Sequence, residues 1–127
     1  MSVPSNLHYT KDHEWLLPED ANRTRVGITD FAQKALGDIV FVELPAVGSD
    51  VAAGDVIAEV ESTKSVSEVY SPVSGKVVEV NEGLTAAPES INTDPYDKGW
   101  ICVIESDVAT DPAEFLSPTD YSSITQN

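Results

Sequence analysis

Lys64 is the residue whose position most clearly marks it for chemistry. It lies midway between two similar strings, Gly54-Asp55-Val56-Ile57 and Gly75-Lys76-Val77-Val78, ten residues after the first glycine and eleven before the second. Each string joins a glycine to β-branched residues, which is typical of a turn that leads into a strand. If the strings form equivalent strands of a sandwich, their midpoint is a tight turn that carries one lysine into solvent. An exposed lysine on a fixed turn is a candidate site for enzymatic acylation.

Selective acylation of Lys64 requires an enzyme, because three nearby carboxylates favour the charged ammonium form. These carboxylates belong to Glu59, Glu61 and Glu68. An ammonium group has no free electron pair with which to attack an acyl donor. The other lysines of the chain are Lys11, Lys34, Lys76 and Lys98. We therefore expect a ligase that recognises the turn around Lys64 and leaves the other lysines unmodified.

Other common chemistries lack their residues in this sequence. His13-Glu14 begins like the zinc-protease signature, but Leu17 stands where that signature needs a second histidine, and the other histidine is His8. Neither a phosphate-binding loop nor the serine motif of hydrolases occurs. Cys102 lies in an apolar run and is predicted to be a buried core thiol. The sequence therefore predicts no metal site and no nucleophilic catalyst.

The net charge limits the classes of partner. The 127 residues include 22 Asp and Glu against 7 Lys and Arg, a formal charge of -15. Such a surface repels polyanionic phosphate, so we expect neither nucleic acid nor an anionic membrane as a partner. No apolar run approaches the roughly 18 residues that span a bilayer, and residues 1–10 lack the basic and apolar regions of a signal peptide. We expect a cytoplasmic protein whose partners are other proteins.

Short segments rich in Val and Ile predict a mainly β chain that forms one domain over residues 1–127. The predicted strands are residues 39–44, 56–60, 66–70, 76–80 and 100–104, with a hairpin formed by residues 13–17 and 25–28. A short helix is predicted over residues 29–36, capped by Thr29 and ended by Gly37. A second helix opens at Asp111 and runs, with a break at Pro118, to residue 124.

Seven strings, in order along the chain, resemble the H-protein family of the glycine cleavage system. They are His13-Glu14-Trp15; Gly27-Ile28-Thr29-Asp30 with Ala32-Gln33; Gly37-Asp38-Ile39-Val40-Phe41-Val42-Glu43-Leu44-Pro45; Val60-Glu61-Ser62 ahead of Lys64; Ser71-Pro72-Val73-Ser74-Gly75; Val78-Glu79-Val80-Asn81; and Asp94-Pro95-Tyr96 with Gly99-Trp100. The spacing from Gly54 to Lys64 is also similar to that of lipoyl domains in 2-oxo acid dehydrogenases. Biotin carriers differ, because they place Met on both sides of the lysine where this chain has Thr63 and Ser65.

The resemblance implies a barrel-sandwich hybrid fold, like that of lipoyl domains, with helices near residues 29–36 and at the C-terminus. It covers a core of about residues 7–121, and it implies lipoate bound as an amide to Lys64 of a carrier with no catalytic residue. A lipoyl disulfide lies in a five-membered ring that cannot reach the preferred dihedral angle of about 85 to 100°, so a nucleophile opens it readily. The carrier is expected to be a monomer in a bacterial cytoplasm rather than a mitochondrial matrix.

Four partner enzymes follow from the resemblance. A pyridoxal-phosphate glycine decarboxylase (P protein) loads an aminomethyl group, a tetrahydrofolate-dependent aminomethyltransferase (T protein) removes it, and dihydrolipoamide dehydrogenase (L protein) reoxidises the carrier. A lipoate-attaching enzyme modifies Lys64. Two alternatives stay open: a relay that donates octanoyl or lipoyl groups for the lipoylation of other proteins, and an unmodified acidic interaction module.

The sequence departs from the family pattern close to Lys64. Ser65 follows the lysine where many members have Ala, and Tyr70 stands before Ser-Pro where many have a small residue. Some members carry a histidine on the short helix, beside the cleft that shelters the loaded arm, whereas this chain has Ala35 near that place. We expect Glu14 to belong to an acidic surface that holds the positively charged aminomethyl group in that cleft.

Overall fold

The computed structural model describes residues 3–20, 22–107 and 111–125. The described strands form two sheets in which every pairing is antiparallel. Residues 1–2 and 126–127, the ends of the predicted domain, lie outside the described residues. Part of the segment tested for a signal peptide, residues 1–10, is therefore also outside them.

The larger sheet draws its described strands from both ends of the chain. Its spatial order is β1 (His8–Tyr9), β2 (Glu14–Pro18), β3 (Arg23–Ile28), β9 (Cys102–Glu105), β8 (Gly75–Val80) and β5 (Asp50–Val51). The smaller sheet has the order β4 (Ile39–Glu43), β6 (Val56–Ser62) and β7 (Val66–Tyr70). Because β9 pairs with both β3 and β8, the larger sheet joins the N-terminal hairpin to the middle of the chain.

The helices are short and lie in the connections. Those in the described residues are α1 (Asp30–Leu36), α2 (Gly83–Ala86), α3 (Ser90–Thr93) and α4 (Pro118–Thr125). Thr29 caps α1 as predicted, because its side chain accepts a hydrogen bond from the Ala32 N–H. Asp111 opens only a 3-10 turn, Pro112–Glu114, and α4 begins at Pro118. None of the helices in the described ranges is long and apolar enough to cross a membrane.

Aliphatic side chains from both sheets fill the space between them. The buried residues at the centre of this core are Leu16, Val26, Val77 and Ile104 of the larger sheet, with Val42, Val60 and Val69 of the smaller one. Cys102 is part of the same core, and burial raises the pKa of its thiol to about 12. The prediction of a buried core thiol is therefore confirmed. A second cluster packs Leu7, Tyr9 and Trp15 against Tyr121 of α4.

The mainly β sandwich predicted from the sequence is confirmed, strand by strand where the strands are long. The predicted strands 39–44, 56–60, 66–70 and 76–80 correspond to β4, β6, β7 and β8, and the predicted hairpin corresponds to β2 and β3. The predicted strand 100–104 is shifted, since β9 begins at Cys102. The sequence did not predict the short elements β1, β5, α2 and α3, because elements of two to four residues show no periodic pattern.

The two similar glycine strings lead into strands of different sheets, and their glycines have different roles. Gly54 precedes β6 with φ of +93°, a left-handed conformation that favours glycine, and nothing lies within 4 Å of the place of a Cβ. Gly75 begins β8, where a Cβ would collide with the backbone of Glu105 on β9. The turn predicted between the strings is present, although the glycines are not equivalent.

Candidate functional site

Lys64 lies at the tip of the β6–β7 hairpin, where the spacing predicts it. Pairing of the strands extends to Glu61 opposite Val66, and the Ser62 N–H closes the turn on the Ser65 carbonyl at 2.8 Å. The buried Ser62 hydroxyl oxygen accepts from the N–H groups of Lys64 at 3.2 Å and Ser65 at 3.0 Å. One serine therefore fixes the backbone on both sides of the lysine, whose side chain is exposed.

The turn also rests on the linker between α1 and β4. The Thr63 N–H donates to the Asp38 carbonyl at 3.1 Å, and Ile39 pairs with Ser62. The Lys64 stem crosses the end of α1, where its Cε is 3.2 Å from the place of a Cβ on Gly37. Gly37 has φ of +84°, a conformation that favours glycine. Because glycine has no Cβ, the space above it is open to the lysine stem.

The three glutamates expected around Lys64 lie instead on the outer face of the smaller sheet. The ion pairs found in the described ranges join Arg23 to Glu105, Arg25 to Glu19 and Lys34 to Asp30. Lys64 has no ion pair among the described residues. Its amine is therefore available to a partner without the loss of a salt bridge.

An apolar group of side chains lies beside the lysine turn. Phe41, Glu61 and Val66 are opposite one another in register across β4, β6 and β7. A β-bulge after Ile39 turns Val40 outward as well. Val40, Phe41 and Val66 have exposed fractions of 50%, 51% and 56%, which is high for large apolar side chains.

A row of three carboxylates follows on the same face. Glu43 is opposite Glu59, and Glu59 is opposite Glu68, so like charges meet across all three strands. Such pairs are unfavourable for folding. A shallow cavity of about 290 Å³ beside Glu43 and Glu59 has apolar walls that include Leu44 and Val56. This face therefore combines apolar contact area with concentrated negative charge.

A larger cavity, of about 820 Å³, is remote from the lysine turn in the fold. It lies beside β5 and β8, and its walls include Asp50, Lys76, Glu105 and Asp107. None of the residues of the β6–β7 turn lines it. This cavity therefore lies apart from the β6–β7 turn.

Glu14 is not part of an exposed acidic surface, so that expectation is wrong. Its exposed fraction is 2%, and its carboxylate accepts from the Thr10 hydroxyl at 2.8 Å and the Tyr70 N–H at 3.0 Å. Burial raises the pKa of Glu14, against the opposing effect of these two hydrogen bonds. Because Tyr70 ends β7, Glu14 ties the base of the lysine-bearing hairpin to β2 of the larger sheet.

The contacts of His13 could not be predicted from the sequence, because they join the turn before β2 to α1 and α4, which are distant in the chain. Its ring stacks on Phe31 at 4.5 Å between centroids, and its Nδ1 is 2.8 Å from the Tyr121 hydroxyl. That hydroxyl also bonds the hydroxyl of Thr29, the cap of α1, at 2.7 Å. Burial lowers the pKa of His13, with partial opposition from Asp12. The contacts indicate a structural histidine that joins α1 to α4.

A metal site finds no support in the described residues. No group of three His, Cys, Asp or Glu side chains in residues 3–20, 22–107 and 111–125 has an arrangement that could hold a metal ion.

Comparisons with known proteins agree with one another over nearly the whole chain. The sequence profile described as glycine cleavage H-protein matches residues 7–127. The chain is 52% identical, over 122 residues, to the glycine cleavage system H protein of Carboxydothermus hydrogenoformans, which covers 96% of this chain and 93% of that protein. It is 50% identical over 127 residues to the H protein of Oceanobacillus iheyensis, with 100% of both chains covered. The crystal structure of the H protein of Mycobacterium marinum superimposes with a TM-score of 0.86 at 42% identity, covering 96% of this chain and 98% of that one.

Proposed function

The chain belongs to the glycine cleavage H-protein family, and on that premise we propose that Lys64 is the residue through which it acts as a lipoyl carrier. The protein is not itself a catalyst. It carries the aminomethyl group from the pyridoxal-phosphate glycine decarboxylase to the tetrahydrofolate-dependent aminomethyltransferase, and dihydrolipoamide dehydrogenase reoxidises it.

One observation carries the assignment of Lys64: a free, exposed lysine amine stands on a turn whose backbone is held from two sides. Ser62 holds the turn from within, and Asp38 holds it from the neighbouring linker. Lys64 has no ion pair among the described residues that acylation would have to break. These features fit a lipoyl amide, since the arm would project from a rigid base.

The roles of the chain and of the attached group are separate. When attached, the lipoyl group supplies a cyclic disulfide that opens to accept the aminomethyl group. The chain supplies the position of the amine, an arm that reaches into partner active sites, and a surface that those partners recognise. Tethering fixes the local concentration of the arm by geometry rather than by bulk supply.

We also propose that the partner enzymes dock on the outer face of the smaller sheet. The apolar side chains of Val40, Phe41 and Val66 lie close to the β6–β7 turn in the strand register and can fill a pocket in a partner. The carboxylates of Glu43, Glu59 and Glu68 attract a basic rim, which accelerates encounter. Because three enzymes use the carrier in turn, each interface should be small and short-lived.

The remaining proposals concern the whole chain. A single domain over residues 1–127 is supported by the larger sheet, in which β1 to β3 pair with β9. We propose a monomer in a bacterial cytoplasm, in agreement with relatives from bacteria such as Carboxydothermus hydrogenoformans. Light scattering of the purified chain tests the monomer, for which one mass near 13.6 kDa is expected.

Peptide mapping of the protein from its native source tests the attachment residue. We expect a lipoyl mass increment on the peptide that contains Lys64, and on no other. An increment on Lys11, Lys34, Lys76 or Lys98 would overturn the assignment. An unmodified chain in cells with an active glycine cleavage system would overturn the lipoyl proposal itself.

A further inference from the structure

We infer that Asn92 is a positioning residue for Lys64, because its side chain locks the linker on which the lysine turn rests. Asn92 belongs to α3, 28 positions after Lys64 in the sequence. The inference rests on Lys64 as the attachment residue. It adds to the site a residue that lies outside the hairpin and acts on Lys64 through the linker.

The Asn92 amide uses both of its ends on the segment around the end of α1. Its Oδ1 accepts from the Ile39 N–H at 2.8 Å, and its Nδ2 donates to the Gly37 carbonyl at 2.9 Å. The same Nδ2 donates to Gln33 Oε1 of α1 at 2.9 Å. Three hydrogen bonds from one half-buried side chain therefore fix both ends of the linker, residues 37–39.

Each residue of this linker also contacts the lysine turn. Gly37 lies under the Lys64 stem, the Asp38 carbonyl accepts from the Thr63 N–H, and Ile39 pairs with Ser62. A linker that moved would carry all three contacts with it. Asn92 therefore sets the direction in which Lys64 leaves the protein, although it acts only through the linker.

Only an amide satisfies this arrangement fully, because the site requires an acceptor toward Ile39 and two donors toward Gly37 and Gln33. The isosteric Asn92→Asp variant keeps the acceptor for the Ile39 N–H. Its second carboxylate oxygen, however, faces the Gly37 carbonyl oxygen and Gln33 Oε1 and cannot donate to either. The linker should shift away from that oxygen. Misplacement of a reacting group by about 1 Å can cost on the order of 100-fold in rate.

The chain provides a closely matched control in Asn81. This half-buried asparagine donates from Nδ2 to the carbonyls of Lys98 and Trp100, both at 2.8 Å, and accepts from the Gly83 N–H at 3.2 Å. Like Asn92, it accepts one bond from a backbone N–H and donates two, although both donated bonds go to carbonyls whereas one of those from Asn92 goes to Gln33. Asn81→Asp therefore reproduces the loss of two donated bonds without touching the linker.

The experiment compares enzymatic acylation of the full unmodified chain as wild type, Asn92→Asp and Asn81→Asp. A lipoate-attaching enzyme with lipoate and ATP acylates each protein, and intact mass follows the product. We expect kcat/KM for Asn92→Asp to fall roughly tenfold to 100-fold, mainly through kcat, since the amine is misplaced rather than hidden. Asn81→Asp should stay within about twofold of wild type, even if both variants lose similar thermal stability.

A second readout detects the position of the lysine without any enzyme. In protein labelled with 13C-lysine and 13C-glycine, nuclear Overhauser contacts between the Lys64 Hε and Gly37 Hα protons should be present in wild type and Asn81→Asp. They should be absent from Asn92→Asp. If Asn92→Asp does not fold, the milder pair Asn92→Ser and Asn81→Ser is judged by the same two readouts.

Retention of the Lys64–Gly37 contact and of the acylation rate in Asn92→Asp would overturn the positioning role. An equal loss of rate in both asparagine variants would overturn it too, since the loss would then reflect general destabilisation. Failure of the enzyme to acylate wild-type Lys64 would instead remove the proposed function. The Overhauser comparison would still decide the role of Asn92 in that case.

Discussion

At Lys64, the side chain that we propose to be acylated and the backbone that holds the turn are different parts of the residue. The exposed side chain has no ion pair among the described residues, while the backbone bonds to Ser62 and the linker hold the turn in place. Sequence spacing is enough to predict that Lys64 lies on the tip of a hairpin turn. It cannot identify Gly37 or Asn92, because their contacts join segments that are far apart in the chain.

Replacement of the lysine by arginine should abolish acylation and leave the fold intact. Lys64→Arg keeps the positive charge, but its guanidinium stays protonated and does not attack an acyl donor. Substitutions at exposed positions of this kind usually change the free energy of unfolding by no more than about 0.5 kcal/mol. Thermal melts of unmodified wild type and variant should therefore agree within a few degrees. A much lower melting temperature for the variant would show that Lys64 is structural.

Glu14 should give the stability of this protein an unusual dependence on pH. Burial raises the pKa of Glu14 above its reference value of 4.5, so the folded state binds the proton more readily. Its contribution to the free energy of unfolding is then full below about pH 4.5 and is lost as the pH rises through the folded pKa.

Glu14→Gln should remove this loss while keeping an acceptor for the Tyr70 N–H. Urea unfolding at a series of pH values between about 4 and 8 measures the difference between the two proteins. Wild type should lose stability relative to the variant as the pH rises. A difference that is constant across the series would show that the buried carboxylate is not coupled to folding.

At the scale of elements, the long strands are predictable from sequence and the short connections are not. Val and Ile are frequent in the long strands β4, β6, β7 and β8. Their buried side chains contribute to the core between the two sheets. The short α3 has no periodic pattern, and its importance arises from one side chain that reaches the end of α1. The docking of α4 likewise depends on contacts between distant segments, through Tyr121.

Tyr121→Phe should weaken the attachment of α4 without affecting the lysine turn. The buried hydroxyl bonds His13 and Thr29, so its removal should lower the free energy of unfolding by about 1 to 3 kcal/mol. Tyr70→Phe is the control, because within the part of the chain that the structure describes the exposed Tyr70 hydroxyl bonds Glu68 alone, at a long 3.4 Å. Urea unfolding compares the two variants. An equal small effect would indicate that the Tyr121 bonds contribute little.

At the scale of the whole molecule, negative charge is concentrated where partners are expected to dock. The row of Glu43, Glu59 and Glu68 places like charges side by side, which is unfavourable within the carrier alone. The excess of acids is plain from composition. The alignment of these three glutamates cannot be read from composition, because it depends on the register of three strands.

Neutralising this row should stabilise the carrier and weaken its use by a partner. In the variant with glutamine at positions 43, 59 and 68, relief of repulsion should raise the free energy of unfolding by about 0.2 to 1 kcal/mol per opposed pair. The KM of glycine decarboxylase for the oxidised, lipoylated carrier should rise, and the dependence of that KM on salt should weaken. The control carries glutamine for Glu79, Glu82 and Glu89, which are exposed and whose replacement gives the same net charge. Equal kinetics for the two variants would show that only net charge matters.

Glycine cleavage in a system reconstituted from purified decarboxylase, aminomethyltransferase and dihydrolipoamide dehydrogenase tests the carrier role of Lys64 most directly. The assay compares wild type with Lys64→Arg after both have been treated with the lipoate-attaching enzyme, and it follows the reduction of NAD in the presence of glycine and tetrahydrofolate. Wild type should support sustained turnover, and the folded variant should support none above the background without carrier. Turnover by Lys64→Arg, or its absence with fully lipoylated wild type, would contradict the assignment.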